Sequence, residues 1–205
     1  MSQTICVFAS SSDAIAPIYF EAAEQLGRLM AERGHTLIYG GGGIGLMGAV
    51  ARGMHAGGGR VIGVIPQKLI PQGYDGVDEM IVTETMRERK AIMEDRADAF
   101  VVLPGGFGTL EEVLEVLTLK QLGYHHKAIT LLNTGGFWEP LLQTFEHLFR
   151  THFADDGLRA SYHVAATPEA ALAYIAAYRP AELPDKLALL LQARQSKDGQ
   201  DGSTG

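Results

Sequence analysis

Apolar runs of four to six residues alternate with helical patterns along most of this chain of 205 residues. The runs predict strands at 4–9, 36–39, 61–65, 79–83, 99–103, 128–132 and 162–166. The patterns between them predict helices at 17–33, 46–55, 85–96, 109–122, 138–150 and 168–178. Strands that are apolar throughout are typical of a parallel sheet covered on both faces. We therefore predict an α/β protein, a three-layer Rossmann-like fold whose central parallel sheet is flanked by helices on both faces.

Length and hydrophobic content predict a single domain. A chain of this length with 46% hydrophobic residues can bury one substantial core, and no internal repeat separates a second unit. We predict that the domain spans residues 1–195 and ends in a helix over 184–195. The polar, glycine-rich segment 196–205 is predicted to be a disordered tail.

Composition argues against several classes of partner. The net charge of −7 leaves no basic surface for nucleic acid, so any anion site has to be local. No apolar run reaches the ~18 residues of a membrane span, and the N-terminus lacks a basic segment, which predicts a cytoplasmic protein. The single cysteine, Cys6, and seven histidines without ligand spacing predict no disulfide and no metal site. The pair His125-His126 is predicted to lie at the surface.

Two glycine clusters, Gly40–Gly48 and Pro104–Gly108, each lie between a predicted strand and a predicted helix. Such a turn exposes backbone N–H groups at the positive end of the helix dipole and forms a phosphate site. In parallel sheets, ligands bind at the carboxyl ends of the strands, where both turns begin. The two clusters therefore predict a phosphorylated ligand. Ser10, at the end of the first strand, lies on the same sheet edge and is either a ligand contact or a turn residue.

The first cluster matches G-x-G-x-x-G twice, from Gly40 and again from Gly43. A dinucleotide site also needs an acidic residue at the end of the next strand, and that strand ends Val64-Ile65-Pro66-Gln67. No G-K-[ST] follows either, so neither dinucleotide binding nor a P-loop is supported. Phosphate binding and a purely structural turn that allows close helix–strand packing both remain open for this cluster.

The second cluster, Pro104-Gly105-Gly106-Phe107-Gly108-Thr109, presents successive N–H groups and a hydroxyl to a phosphate. Thr109 and Glu112 also match the capping box T-x-x-E. In that interpretation Glu112 only accepts a hydrogen bond from a backbone N–H group. The spacing alone leaves both interpretations open.

Four motifs in order resemble the Lonely Guy family, cytokinin riboside 5′-monophosphate phosphoribohydrolases that were long labelled lysine decarboxylases. They are the run Gly41–Gly48, Met86-Arg87-Glu88-Arg89-Lys90, Pro104–Glu112, and Gln121-Leu122-Gly123 followed by Lys127. The resemblance extends from about Ile5 to Ile175. Leu119 departs from it, because many members have tryptophan there.

The resemblance implies hydrolysis of the N-glycosidic bond of a nucleoside 5′-monophosphate, which releases free base and ribose 5-phosphate. The substrate would be a cytokinin riboside 5′-monophosphate and also AMP. Glu112 and Arg89 would be catalytic: the carboxylate faces the charge that develops on the ribose, and the guanidinium faces the leaving base. The family also implies a homodimer and no cofactor. The predicted substrate-binding residues are Ser10, Gly42, Gly43, Met86, Arg89, Lys90, Gly105, Gly106, Gly108, Thr109 and Glu112.

Other interpretations remain for these residues and for the whole chain. Arg89 and Lys90 could lie on a solvated helix face, where Lys90 and Glu94 form an i,i+4 pair, and Met86 could be a core residue. The chain could be a non-catalytic carrier of a nucleotide or of the molybdenum cofactor, although a carrier has no need of both Glu112 and Arg89. A pyridoxal-phosphate lysine decarboxylase needs a Schiff-base lysine, and no lysine has a recognisable setting for one.

Overall fold

The computed structural model describes residues 2–181, 183 and 184. The helix and the tail that the sequence predicts beyond Pro184 lie outside these residues. Seven parallel strands form one sheet in the order β4-β3-β2-β1-β5-β6-β7. The strands are β1 (Thr4–Phe8), β2 (Thr36–Tyr39), β3 (Arg60–Pro66), β4 (Glu79–Thr83), β5 (Ala99–Val102), β6 (Ala128–Leu132) and β7 (His163–Ala165). The helices are α1 (Pro17–Glu32), α2 (Gly45–Ala56), α3 (Met86–Arg96), α4 (Phe107–Gln121), α5 (Glu139–Arg150) and α6 (Pro168–Ala177).

The strand order reverses beside β1, and this reversal positions the candidate site. β2, β3 and β4 extend from one side of β1, while β5, β6 and β7 extend from the other. Ile5 and Val7 pack into the core beneath α1, α2 and α6, whereas Cys6 and Phe8 pack beneath α3, α4 and α5. Helices therefore cover both faces, and the prediction of a three-layer Rossmann-like fold is confirmed. A crevice forms at the carboxyl edge where the strand order reverses.

The predicted elements within the described residues are present with ends shifted by at most two residues, and three details differ. α4 begins at Phe107 rather than at Thr109. The segment predicted to be irregular contains a 3₁₀ helix, Gln67–Gln72. Of the histidine pair predicted to lie at the surface, His126 is exposed, whereas His125 is partly buried and hydrogen-bonds the Val116 carbonyl oxygen at 2.9 Å. None of the described helices has the length and apolar character that crossing a membrane requires.

Helices α1 and α2 pack backbone against backbone. A Cβ atom on Gly27 of α1 would lie 2.7 Å from the backbone nitrogen of Met54 and would also collide with the Val50 carbonyl oxygen. Gly53 of α2 meets the Glu24 carbonyl oxygen in the same way. Both contacts involve backbone atoms, which cannot move aside as the end of a flexible side chain can.

We expect Gly27→Ala to lower the free energy of unfolding by about 1–3 kcal/mol, because the added methyl group forces the two helices apart. Urea denaturation monitored by circular dichroism measures this loss. The control is Arg28→Ala, an exposed position on the same helix, for which we expect a change within about 0.5 kcal/mol. Equal stability of the two variants would show that α1 and α2 do not require this close approach.

Candidate active site

A cleft of about 400 Å³ opens at the carboxyl edge of the sheet, where the strand order reverses. Its walls come from the end of β1 and the loop after it, the first glycine cluster, β3, the 3₁₀ helix, α3 and the start of α4. The lining residues are Val7, Phe8, Ala9, Ser10, Ser11, Ser12, Gly40, Gly42, Met47, Ile65, Leu69, Gln72, Arg89, Met93, Gly106, Phe107, Gly108, Thr109 and Glu112.

A buried ion pair between α3 and α4 lines this cleft. Arg89 Nη1 donates to Glu112 Oε1 at 3.2 Å, and each side chain is only 9% exposed. Arg89 Nε also donates to the Val64 carbonyl oxygen of β3, at 3.1 Å. The guanidinium is therefore held at two points, beside the sheet and against the carboxylate.

Burial changes the protonation of Glu112. It raises the pKa of this carboxyl to about 7, although the positive charge of Arg89 acts in the opposite direction. Glu112 can therefore exchange a proton near neutral pH, which a general acid or base requires. The neighbouring Arg89 supplies a fixed positive charge and hydrogen-bond donors.

The first glycine cluster makes room for other groups. A Cβ atom on Gly40 would collide with Arg89 Nη2 and would lie 3.0 Å from its Cζ. Gly45, at φ +59°, packs against the backbone of Ser10 and Ser11, which a side chain there would displace. The cluster thus admits the arginine to the cleft and brings α2 against the loop that follows β1.

The N–H groups at the start of α2 are already bonded within the protein. Gly45 N–H donates to Asp13 Oδ1 at 2.8 Å. The N–H groups of Leu46 and Met47 donate to the Ser10 carbonyl oxygen, at 2.9 and 3.3 Å, and Gly43 N–H donates to the Gln72 carbonyl oxygen at 2.9 Å. Because protein acceptors occupy these donors, the structure favours the second interpretation that the sequence left open, a structural turn that allows close packing. Gly42 lines the cleft, whereas Gly43 does not.

The start of α4 differs in this respect. In the part of the chain that the structure describes, the N–H groups of Phe107, Gly108 and Thr109 meet no protein acceptor. Gly106 and Gly108 line the cleft, and a Cβ atom on either would point into open space. Gly105 lies behind them, where a Cβ atom would be 2.9 Å from Thr109 Cγ2. This helix start is free to bind an anion in the cleft.

The capping-box interpretation of Thr109 and Glu112 is wrong. Because α4 begins at Phe107, its N-cap is Gly106, and Thr109 is the third helical residue. The Glu112 carboxylate bonds Arg89 instead of a backbone N–H group. The same pattern at α3 does form a cap: Thr85 Oγ1 accepts from Glu88 N–H at 3.1 Å.

The structure brings seven of the eleven predicted contact residues to the cleft. They are Ser10, Gly42, Arg89, Gly106, Gly108, Thr109 and Glu112. Met86 begins α3 with 47% of its surface exposed, outside the lining and outside the core. Lys90 is buried outside the lining and forms ion pairs with Glu111 and Glu115 rather than the i,i+4 pair with Glu94, so its substrate contact stays a prediction. Gly43 and Gly105 do not line the cleft, although each is next in sequence to a glycine that does.

The sequence analysis missed one wall of the cleft. Leu69 and Gln72, from the 3₁₀ helix, line it together with Met47 and Ile65. The segment has no periodicity, so hydrophobic patterning could not identify it. Its position directly after a strand was the available signal, because such loops lie at the ligand-binding edge of a parallel sheet. Among residues 2–181, 183 and 184, no three His, Cys, Asp or Glu side chains are grouped as a metal site.

Comparisons with known proteins agree with this geometry. A sequence-family profile described as "possible lysine decarboxylase" matches residues 47–175. A rice protein named probable cytokinin riboside 5′-monophosphate phosphoribohydrolase LOGL2 (Oryza sativa subsp. japonica) is 42% identical over 86% of this chain and 73% of its own. The Arabidopsis thaliana enzyme cytokinin riboside 5′-monophosphate phosphoribohydrolase LOG7 is 51% identical over 67% of this chain and 64% of its own.

Solved structures share the fold at lower sequence identity. The molybdenum cofactor carrier protein of Chlamydomonas reinhardtii matches with a TM-score of 0.69 and 29% identity, over 86% of this chain and 98% of that one. The molybdenum cofactor binding protein of the bacterium Rippkaea orientalis matches with a TM-score of 0.68 and 28% identity, over 86% and 97%. With the profile covering more than half of its residues and relatives above 40% identity, the chain belongs to the Lonely Guy family.

Proposed function

We propose that this protein is a hydrolase that cleaves the N-glycosidic bond of a nucleoside 5′-monophosphate and releases free base and ribose 5-phosphate. The observation that carries the proposal is the buried Arg89–Glu112 pair in the cleft, one helical turn from the free N–H groups of α4. Relatives that are 42–51% identical are named for this reaction.

The start of α4 would hold the 5′-phosphate. Its N–H groups and the positive end of the helix dipole favour a dianion, and Thr109 adds a hydroxyl on the same side of the cleft. Glu112 lies three residues further along the helix, about 4.5 Å along its axis. A nucleotide anchored at the helix start would therefore extend its ribose towards the Glu112 carboxylate.

The two charged side chains match the charges that develop during bond cleavage. As the bond between C1′ and the base nitrogen breaks, its electron pair leaves with the base and the ribose ring becomes positive. The ionised Glu112 would stabilise this charge and accept a proton from the attacking water. Arg89 would stabilise the negative charge on the departing base.

The other lining residues favour a base with an apolar substituent. Met47, Ile65 and Leu69 lie in the same cleft as the charged pair. Burying the prenyl tail of a cytokinin nucleotide against such side chains would strengthen binding relative to AMP. We therefore propose N6-prenylated AMP as the better substrate and AMP as a slower one.

Incubation with AMP and with isopentenyladenosine monophosphate tests the proposal. Chromatography measures free base and ribose 5-phosphate, and the nucleosides without phosphate serve as controls that should react poorly. Nucleotide binding without base release would instead support the carrier interpretation, which the fold of the molybdenum cofactor carriers favours. We consider that interpretation weaker, because cofactor transport needs no buried carboxylate–arginine pair.

We also propose that the protein is a homodimer. Phe107 at the start of α4 is 91% exposed, and Leu114 and Leu122 further along are 43% and 53% exposed. Such apolar exposure is typical of a contact surface. Light scattering at micromolar concentration measures the mass, and a monomer would contradict this part of the proposal. The cytoplasmic location stays a prediction from the sequence.

We expect kcat for base release to rise with pH up to about 7 and then to level off. Below its pKa, Glu112 is protonated and neutral, so it can neither stabilise the ribose cation nor accept a proton. Rates at saturating nucleotide from pH 5 to 9 test this, because kcat reports groups in the enzyme–substrate complex. A rate that falls through pH 7 would instead make Glu112 the acid, and a flat profile would remove it from the reaction.

A further inference from the structure

Three ion pairs, made by two adjacent residues of α3, join this helix to α4. Arg89 reaches Glu112 in the cleft, and Lys90 reaches Glu111 and Glu115 beside it. Glu111 and Glu115 are four residues apart on α4 and therefore lie on the same side of the helix. The two carboxylates bracket one ammonium group, whose side chain is 10% exposed.

The ammonium group of Lys90 is paired with carboxylates of the protein itself. Burial lowers the pKa of Lys90, but its interactions with the acceptor carboxylates of Glu111 and Glu115 outweigh burial, so the pKa is raised overall and the ammonium stays charged. Nearby on α3, burial and Glu115 raise the pKa of Glu94 to about 7. Lys127 Nζ donates to the backbone oxygen of Glu94 at 2.7 Å. None of these groups lines the cleft.

Few apolar side chains anchor α3 to the core, where Ile92 is half-buried beside the buried Met93. Within this helix, which the structure describes in full, Met93 is the one buried apolar residue, while the other two buried residues are Arg89 and Lys90. The Arg89 guanidinium packs against Gly40 so closely that a Cβ atom there would collide with it, and it donates to the Val64 carbonyl oxygen. A small rotation or shift of α3 would therefore remove Arg89 from Glu112.

We propose that Lys90 is a positioning residue, which together with Glu111 and Glu115 locks α3 against α4 so that Arg89 and Glu112 meet in the cleft. This inference rests on the proposed function for its effect on turnover. It assigns Lys90 a role away from the substrate, although the residue directly follows the arginine of the site.

The same charged groups also shift the pKa of Glu112 electrostatically. The charged groups that face it are Arg89 and Lys90 from α3 and Glu111 from α4, and the thiol of Cys6 faces it from β1. Lys90 lowers the pKa of Glu112 and Glu111 raises it. Removing one or the other should therefore move the titration of Glu112 in opposite directions, which a purely structural contribution of either residue would not do.

The test compares Lys90→Met, Lys90→Arg and Glu111→Gln with Arg60→Met, which removes an exposed ion pair to Glu79 outside the cleft. In Lys90→Met we expect kcat for AMP to fall roughly 10- to 100-fold, because a misplacement of about 1 Å can cost ~100-fold. KM should change little, and the acid limb of the pH profile of kcat should move to higher pH. Glu111→Gln should move that limb to lower pH, and Lys90→Arg should restore the wild-type rate and profile.

A raised KM with unchanged kcat in Lys90→Met would overturn the proposal, because Lys90 would then contact the substrate. If Lys90→Met does not fold, Lys90→Arg and Glu111→Gln still carry the test. Failure of the arginine variant to restore kcat would contradict the lock, and an unmoved limb in Glu111→Gln would contradict the electrostatic effect of Glu111 on Glu112.

A second readout does not depend on turnover. The carboxyl carbon of Glu112, identified by its loss in Glu112→Gln, can be titrated by ¹³C NMR in each folded variant. In one outcome, the pKa of Glu112 shifts in opposite directions in Glu111→Gln and Lys90→Met while the wild type releases no base. That result would support the α3–α4 lock and contradict the proposed function. Base release by the wild type, with an unchanged pKa of Glu112 in both variants, would overturn the lock and support the proposed function.

Discussion

Glu112→Gln is expected to lower kcat for base release by about 100-fold or more, because a general acid–base group contributes ~100- to 10,000-fold. Glutamine keeps the size of the buried side chain and can still accept a hydrogen bond from Arg89, but it cannot ionise. The variant should therefore bind nucleotide through the start of α4 and hold it without cleavage. Base release by chromatography and nucleotide affinity by calorimetry measure the two effects separately.

The matched control is Glu21→Gln, which makes the same charge change at an exposed position of α1. It should leave kcat and nucleotide affinity at wild-type values. Full activity in Glu112→Gln would show that the carboxylate mechanism is wrong even if the reaction is the one proposed. Loss of nucleotide binding together with activity would mean that the substitution disturbs the cleft rather than the chemistry.

Arg89→Ala is expected to reduce both activity and stability. Loss of one preorganised donor to a developing negative charge costs about 100- to 1,000-fold in kcat. Removing one partner of a buried ion pair costs about 3–5 kcal/mol, because the other charge is left without compensation. Here Glu112 can escape part of that cost by taking up a proton. Base-release assays and urea denaturation measure the two losses.

The sign of the pH dependence follows from the raised pKa of Glu112, which is about 7 even with Arg89 present. Without the arginine, the folded protein holds the proton still more tightly, while the unfolded chain releases it near pH 4.3. Stability of Arg89→Ala should therefore be highest below that pH and should fall as pH rises through 7. We expect the gap to wild type to be larger at pH 8 than at pH 5.5, and an equal gap at both would contradict this account.

Two further variants separate the charge of Arg89 from its position. Arg89→Lys keeps a positive charge but lacks the fork that reaches Val64 and Glu112 together, so it should recover stability more than activity. Gly40→Ala keeps the arginine but places a methyl group where its Nη2 lies. Loss of base release in Gly40→Ala would show that the position of the guanidinium matters, whereas normal activity would show that it does not.

The sequence was enough to predict the order and type of the elements, because each depends on neighbouring residues. Apolar runs indicated the strands, and a spacing of about 3.6 residues indicated the helices. The cap of α3 also follows from local pattern, since Thr85 and Glu88 bond across a single turn. The family motifs pointed to Arg89 and Glu112, although spacing alone left Glu112 as a possible cap residue.

Only the tertiary structure decided between equivalent local patterns. The two glycine clusters look alike, but the loop after β1 brings Ser10 and Asp13 to the start of α2, and no acceptor from the described chain reaches the start of α4. Lys90 likewise passes over its local partner Glu94 for Glu111 and Glu115, more than twenty residues away. Local spacing determines which helix and strand form. Which donors remain free and which charges meet depends on contacts between distant segments, and these exist only once the sheet has assembled.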